Sequence, residues 1–69
     1  MINQESLEQL YQSLQKLHKD YRDALLLVYF EELSYKETAF ILGKSEKQIT
    51  NLVYRGKKAL KEIMEKEEH

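Results

Sequence analysis

Ser34 and Ser45 are each followed, three positions on, by a side chain ending in a carboxylate or an amide, Glu37 and Gln48, and Gly43 lies between the two pairs. A serine with Glu or Gln at that spacing can satisfy two orphan N–H groups at a helix start, each side chain bonding the other's backbone. Gly43 is the only residue of 34–48 without a β-carbon. It alone enters left-handed backbone without a steric penalty, and so it can end the first helix. Apolar residues recur at helical spacing on both sides. The stretch 34–60 therefore predicts a helix-turn-helix.

The rest of the chain has to supply the core on which those two helices rest. With 69 residues, no proline and only two glycines, it predicts one all-α domain over 1–69, four helices joined by short connections. Leu7, Leu10, Tyr11, Leu14 and Leu17 form one apolar stripe on a first helix, with Asn3 or Ser6 as its cap. Asp20 is placed to cap a second helix, Tyr21 to Phe30, which is apolar over much of its circumference and is expected to be the most buried. The third helix, Tyr35 to Leu42, should turn Ala39, Ile41 and Leu42 inward. The fourth begins after Ser45, with Ile49, Leu52, Val53, Gly56, Leu60, Ile63 and Met64 inward. Gly56 in mid-helix costs about 1 kcal/mol relative to Ala, and close approach by another helix would explain it. Residues 66–69 read as a frayed tail.

Charge decides what the fourth helix can address. The net charge is −1, which argues against a strongly basic nucleic-acid binder, but the distribution is uneven. Lys44, Lys47, Arg55, Lys57, Lys58 and Lys61 gather in one stretch with only Glu46 against them. A helix fits the DNA major groove, and the residues of its first turns reach base edges. Lys47, Gln48, Asn51 and Arg55 are the candidates for base contacts: amides for adenine, cations for guanine. Ser34, Tyr35, Lys36, Lys44, Thr50, Tyr54, Lys57 and Lys58 are the candidates for DNA backbone contacts. A polar stripe is by itself usually a solvated face. Here it coincides with Ser34, Ala39, Gly43, Ser45, Ile49 and Leu52, each where the motif needs it.

Other chemistries find little support. His18 and His69 stand far apart, outside any metal-ligand spacing, and there is no glycine-rich phosphate loop. No catalytic residue, metal site or cofactor is expected. The absence of cysteine fits a cytoplasmic setting, and no apolar run approaches the roughly 20 residues of a membrane span.

The stretch Leu17–Leu60 closely resembles region four of bacterial sigma factors, most nearly the extracytoplasmic-function type. Tyr21-Arg22, Leu25-Leu26-Leu27, Tyr29-Phe30-Glu31, Leu33 to Glu37, Ala39, Ile41-Leu42-Gly43, Ser45, Ile49, Arg55 and Lys58-Ala59-Leu60 hold matching places. The resemblance implies a domain that binds the −35 promoter element through its last helix. It also implies contact with the β flap of core RNA polymerase through an apolar groove, for which Leu7, Leu10, Tyr11, Leu14, Leu26, Tyr29 and Phe30 are candidates. An anti-sigma factor often covers the same surface in that family. The chain departs from the pattern at His18, where proline is usual, and at Glu32, where glycine is frequent. Thr38 and Lys44 replace aliphatics, and Thr50 and Leu52 stand at positions that are often basic. Two alternatives remain: an interaction module that holds polymerase or an anti-sigma partner with little DNA binding, and a response-regulator-type DNA-binding domain.

Overall fold

The computed structural model describes residues 4–67, and its elements are α1 (Gln4–Gln15), α2 (Lys19–Leu25) with a wider helical extension (Leu26–Phe30), α3 (Tyr35–Leu42) and α4 (Glu46–Glu67). Among the described residues there is no strand, so the architecture is all-α, as the proline-free, glycine-poor sequence predicts. Asn3 lies outside the described residues, and Ser6 is inside α1 and not ahead of it.

The chain leaves α1 in a tightened turn, Lys16 N–H donating to Ser13 O and Leu17 N–H to Leu14 O, both at 3.1 Å. That three-residue spacing narrows the last turn. Leu17 lies just past the helix and is nonetheless buried with Leu14. The cap of α2 is His18 and not Asp20: its backbone is extended and its Nδ1 accepts from Asp20 N–H at 3.3 Å. Asp20 stands instead in the first turn, where a carboxylate complements the positive end of the helix dipole. Lys19 Nζ reaches Asp23 at 2.7 Å one turn further on.

Burial of the second helix stops sooner than its composition suggests. Ala24 and Leu25 are buried, but Tyr29 and Phe30 are 47% and 45% exposed. The helix widens after Leu25, so that Glu31 N–H donates to Leu26 O, five residues back, at 3.0 Å. A π-type turn advances each side chain less around the axis than an α-turn does, which takes the two aromatic rings off the buried face. The segment then closes through Glu32 in left-handed backbone, φ 56°, with Leu33 N–H donating to Leu27 O at 3.0 Å. Glu32 thus occupies a conformation that suits glycine, at the position where the sigma pattern frequently has one.

In α3 the buried face is made by Thr38 and Ala39, with Tyr35 and Leu42 half-buried. These four follow the i, i+3, i+4, i+7 rule of an amphipathic helix. Ile41, expected inward, is exposed, because it lies about 100° around the axis from the middle of that face. Phe40, on the far side, is 89% exposed.

Helix α4 has 22 residues, about 33 Å at 1.5 Å each, and nearly spans the 37 Å long axis of the molecule. Ile49 and Val53 are buried, and Leu52, Leu60, Ile63 and Met64 are half-buried. Gly56 lies against α2: a β-carbon there would stand 3.2 Å from both Tyr21 Cβ and Leu25 Cδ1. The close helix approach inferred from a mid-helix glycine is therefore present. The core joins Leu14, Leu17, Ala24, Leu25, Ala39, Ile49 and Val53, one apolar centre shared by all four helices. Lys66 and Glu67 continue α4, where the sequence suggested fraying, and Glu68 and His69 lie outside the described residues.

Candidate nucleic-acid interface

Two reciprocal caps and one left-handed glycine set the angle at which α4 leaves α3. Ser34 Oγ accepts from Glu37 N–H at 3.0 Å while Ser34 N–H donates to Glu37 Oε1 at 3.1 Å. At the second helix, Ser45 Oγ accepts from Gln48 N–H at 3.1 Å and Ser45 N–H donates to Gln48 Oε1 at 2.8 Å. Between them Gly43 has φ 68° and ψ 37°. Lys44 N–H returns to Ala39 O at 2.9 Å, which satisfies a carbonyl that the helix end would otherwise leave open. The Ser34 bonds hold the Glu37 carboxyl below its usual pKa, the backbone bond first and the hydroxyl second.

With Ile49, Val53 and Gly56 turned into the core, the opposite face of α4 is left to solvent. Lys47, Gln48, Asn51, Tyr54, Arg55 and Lys58 are all exposed, and Tyr54 keeps 71% of its surface open. Lys44, Gln48, Asn51 and Arg55 are brought together around one shallow concavity of about 210 Å³, with Leu52 beside them. Ser34 and Lys36 are exposed and Tyr35 is half-buried at the start of α3. The Ser34 hydroxyl is engaged within its cap, with Glu37 N–H and with the Glu37 carboxyl.

Besides Ser34, three of the sequence candidates have commitments inside the chain. Lys57 is turned from the stripe, its Nζ lying 4.8 Å over the Tyr29 ring. Its hydrogen bond and charge interaction with Tyr29 raise the ammonium pKa above the ordinary lysine value. Thr50 donates its only hydroxyl proton to Glu46 O at 3.0 Å, so a phosphate could receive it only if that bond opened. Gln48 has its carbonyl oxygen in the Ser45 cap.

Some surface features escape a reading by motif. Leu52 borders the concavity, and Phe40 and Ile41 form an exposed apolar pair on α3. A second concavity of about 230 Å³ lies between α1, the end of the α2 extension and α4, lined by Leu10, Leu25, Tyr29, Phe30, Lys57 and Leu60 among others. Of the residues proposed for an apolar groove, Leu14 is buried in the core while Leu7, Tyr11, Tyr29 and Phe30 are exposed. The Tyr11 and Phe30 rings sit 6.3 Å apart between centroids. A helical wheel of α3 alone would have placed Phe40 outward, since it lies opposite Thr38 and Leu42.

Among the described residues no group of three His, Asp or Glu side chains could hold a metal ion, and no helix is long and apolar enough to cross a membrane. The family model described as "Sigma-70, region 4" matches residues 7–60. The chain is 36% identical over 50 residues to the ECF RNA polymerase sigma factor SigM of Bacillus subtilis (strain 168), covering 72% of this chain and 31% of that protein. It is 41% identical over 59 residues to the RNA polymerase sigma factor YlaC of the same organism, covering 86% of this chain and 34% of the relative. The matched stretch thus spans about a third of the length of these curated relatives. No solved structure matches the chain significantly.

Proposed function

This chain belongs to the sigma-70 region 4 family, of the extracytoplasmic-function type, and from that premise we propose that it binds duplex promoter DNA of the −35 element type in the major groove and so helps to place RNA polymerase. The observation that carries the reading is the division of α4 along its length. Ile49, Val53 and Gly56 are buried, whereas Lys47, Asn51, Tyr54, Arg55 and Lys58 stand in solvent on the other side. Cations on phosphates supply most of the affinity. Asn51, Arg55, Lys47 and Gln48 supply selectivity, at about 1–3 kcal/mol for each good base pairing. Glu46 and Glu37 oppose phosphate, and with the net charge of −1 they keep affinity modest.

A salt titration of binding to a promoter duplex tests this. Phosphate contacts by Lys36, Lys44 and Lys58 give a log–log slope of about −3. A flat line would remove DNA from the account and leave a protein-interaction module.

The apolar concavity beside Tyr29 and Phe30 favours a second, compatible contact. We assign it to core RNA polymerase, in the manner of the β-flap contact that the family resemblance implies, with an anti-sigma factor as a competitor for the same surface. Phe30→Ser, which leaves the Lys57–Tyr29 contact in place, should weaken capture by core polymerase and leave the DNA salt slope unchanged.

A further inference from the structure

Gln48 is the residue of the stripe whose chemistry the fold has already restricted. A glutamine that reads adenine does so through both ends of its amide, the oxygen accepting from N6 and the nitrogen donating to N7. For that, the two atoms must lie level on the base edge. In this chain Gln48 Oε1 is 2.8 Å from Ser45 N, folded back on the start of its own helix, while Gln48 N–H is held by Ser45 Oγ at 3.1 Å. Only an oxygen can accept the Ser45 N–H, so the cap also decides which end of the amide is left for the groove. That end is the NH2 group, a donor without acceptor capacity. Lys44 and Arg55, which line the same concavity, are donors only as well. Asn51, the remaining polar member, has no cap to serve and keeps both donor and acceptor.

We propose that Gln48 stays in the cap when DNA is bound and reads the groove with its NH2 alone. It thereby selects a base edge that presents an acceptor and is indifferent to the exocyclic amine that a free glutamine would seek. The inference rests on the DNA-binding reading above and adds a rule to it: on this helix bidentate recognition of adenine falls to Asn51, and Gln48 is at once a positioning residue for α4 and a one-sided reader. Releasing the oxygen would leave the Ser45 N–H without its partner at the helix start, so the cap opposes the swing.

The test starts from duplexes selected by the intact chain out of a randomised pool, and takes as the Gln48 position the one whose preference Gln48→Ala relaxes. The preferred base there should present a major-groove acceptor (guanine, adenine or thymine). If it is a purine, its 7-deaza analogue should weaken binding about tenfold. Removing the exocyclic amine of a preferred adenine should change affinity by less than about twofold. Gln48→Glu separates the two roles, because a carboxylate oxygen can still take the Ser45 N–H. It should keep or raise the melting temperature and yet lose about tenfold or more in affinity for the selected duplex. Three results would overturn the proposal: a cytosine preference at that position, a tenfold loss on deleting the adenine amine, or unchanged affinity in Gln48→Glu. With the salt slope intact, those results refute the role of Gln48 alone. A chain with no salt-dependent DNA binding refutes the parent reading along with it.

Discussion

Gly56 and Leu25 meet at van der Waals limits: a β-carbon on the glycine would stand 3.2 Å from Leu25 Cδ1 and 3.3 Å from Leu25 Cγ. It would also stand 3.2 Å from Tyr21 Cβ, which is fixed to the α2 backbone and has no torsion by which to retreat. Gly56→Ala gains about 1 kcal/mol of helix propensity but overpacks the α2–α4 contact, at about 1–3 kcal/mol. The overpacking wins. The substitution should lower stability by about 1 kcal/mol, or some 4–8 °C in melting temperature for a domain of this size. Thermal unfolding followed by circular dichroism would show it, and a stabilised variant would mean that α2 shifts freely.

Glu32 gives the opposite sign. A non-glycine residue in left-handed backbone costs about 1–2 kcal/mol, whereas glycine adds unfolded-state entropy worth about 0.4–1 kcal/mol. Glu32→Gly should therefore stabilise the fold by about 0.5 kcal/mol in urea unfolding. A loss of stability would show that the Glu32 side chain makes a contact worth more than its backbone strain.

Thr38 is fully buried, and its hydroxyl has no hydrogen-bond partner. An unsatisfied buried polar group carries a desolvation penalty of about 1–3 kcal/mol. Thr38→Val keeps the shape and removes the hydroxyl, so it should raise stability by about 1 kcal/mol. Chemical unfolding of the two chains side by side checks this, and a weaker variant would mean that the hydroxyl is bonded in solution.

The Ser34–Glu37 cap should register in acid. The two Ser34 bonds depress the Glu37 pKa below its ordinary 4.5. A depressed carboxylate contributes stability that is present above the unfolded value and is lost as pH falls through the folded one. Glu37→Gln keeps an acceptor oxygen for Ser34 N–H without the titration. Its melting temperature should therefore fall less than that of the parent chain on acidification below about pH 4.5, and parallel curves would exclude this cap as a source of acid sensitivity.

Lys57 and Lys58 are neighbours in sequence with different tasks. Lys58→Gln should reduce the magnitude of the DNA salt slope by about 0.9, the value of one phosphate contact. Lys57→Gln should leave the slope unchanged, since its ammonium lies over Tyr29. Fluorescence anisotropy across a salt series distinguishes them, and equal effects would return Lys57 to the DNA face.

What the sequence made legible is local or strictly periodic. Ser34 with Glu37, Ser45 with Gln48, and Gly43 between them are read correctly because each bond is made within a few residues. The inward face of α4 follows from spacing over many turns, and so does the exposure of Lys47, Asn51, Tyr54 and Lys58. Errors arise where distant packing decides. α3 has only eight residues, too few for periodicity to choose between Ile41 and Thr38, and the neighbouring helices chose Thr38. His18 and Asp20 are both plausible acceptors two positions apart, so composition does not separate them. Lys57 looked like any other cation of its helix, because Tyr29 reaches it from another element. The widening of the backbone at Leu26 has no residue signature at all.

That widened stretch gives the chain slack in its residue count. Leu26–Phe30 holds one residue more per closure than a regular α-turn would, so a sequence one residue shorter between Leu25 and Ser34 could cover the distance with ordinary helix and still deliver Ser34 to the start of α3. A single deletion at this point would thus leave α3 and α4 in register with each other. The aromatic pair Tyr29 and Phe30 would then turn with the regular helix, and the apolar concavity they line would change shape.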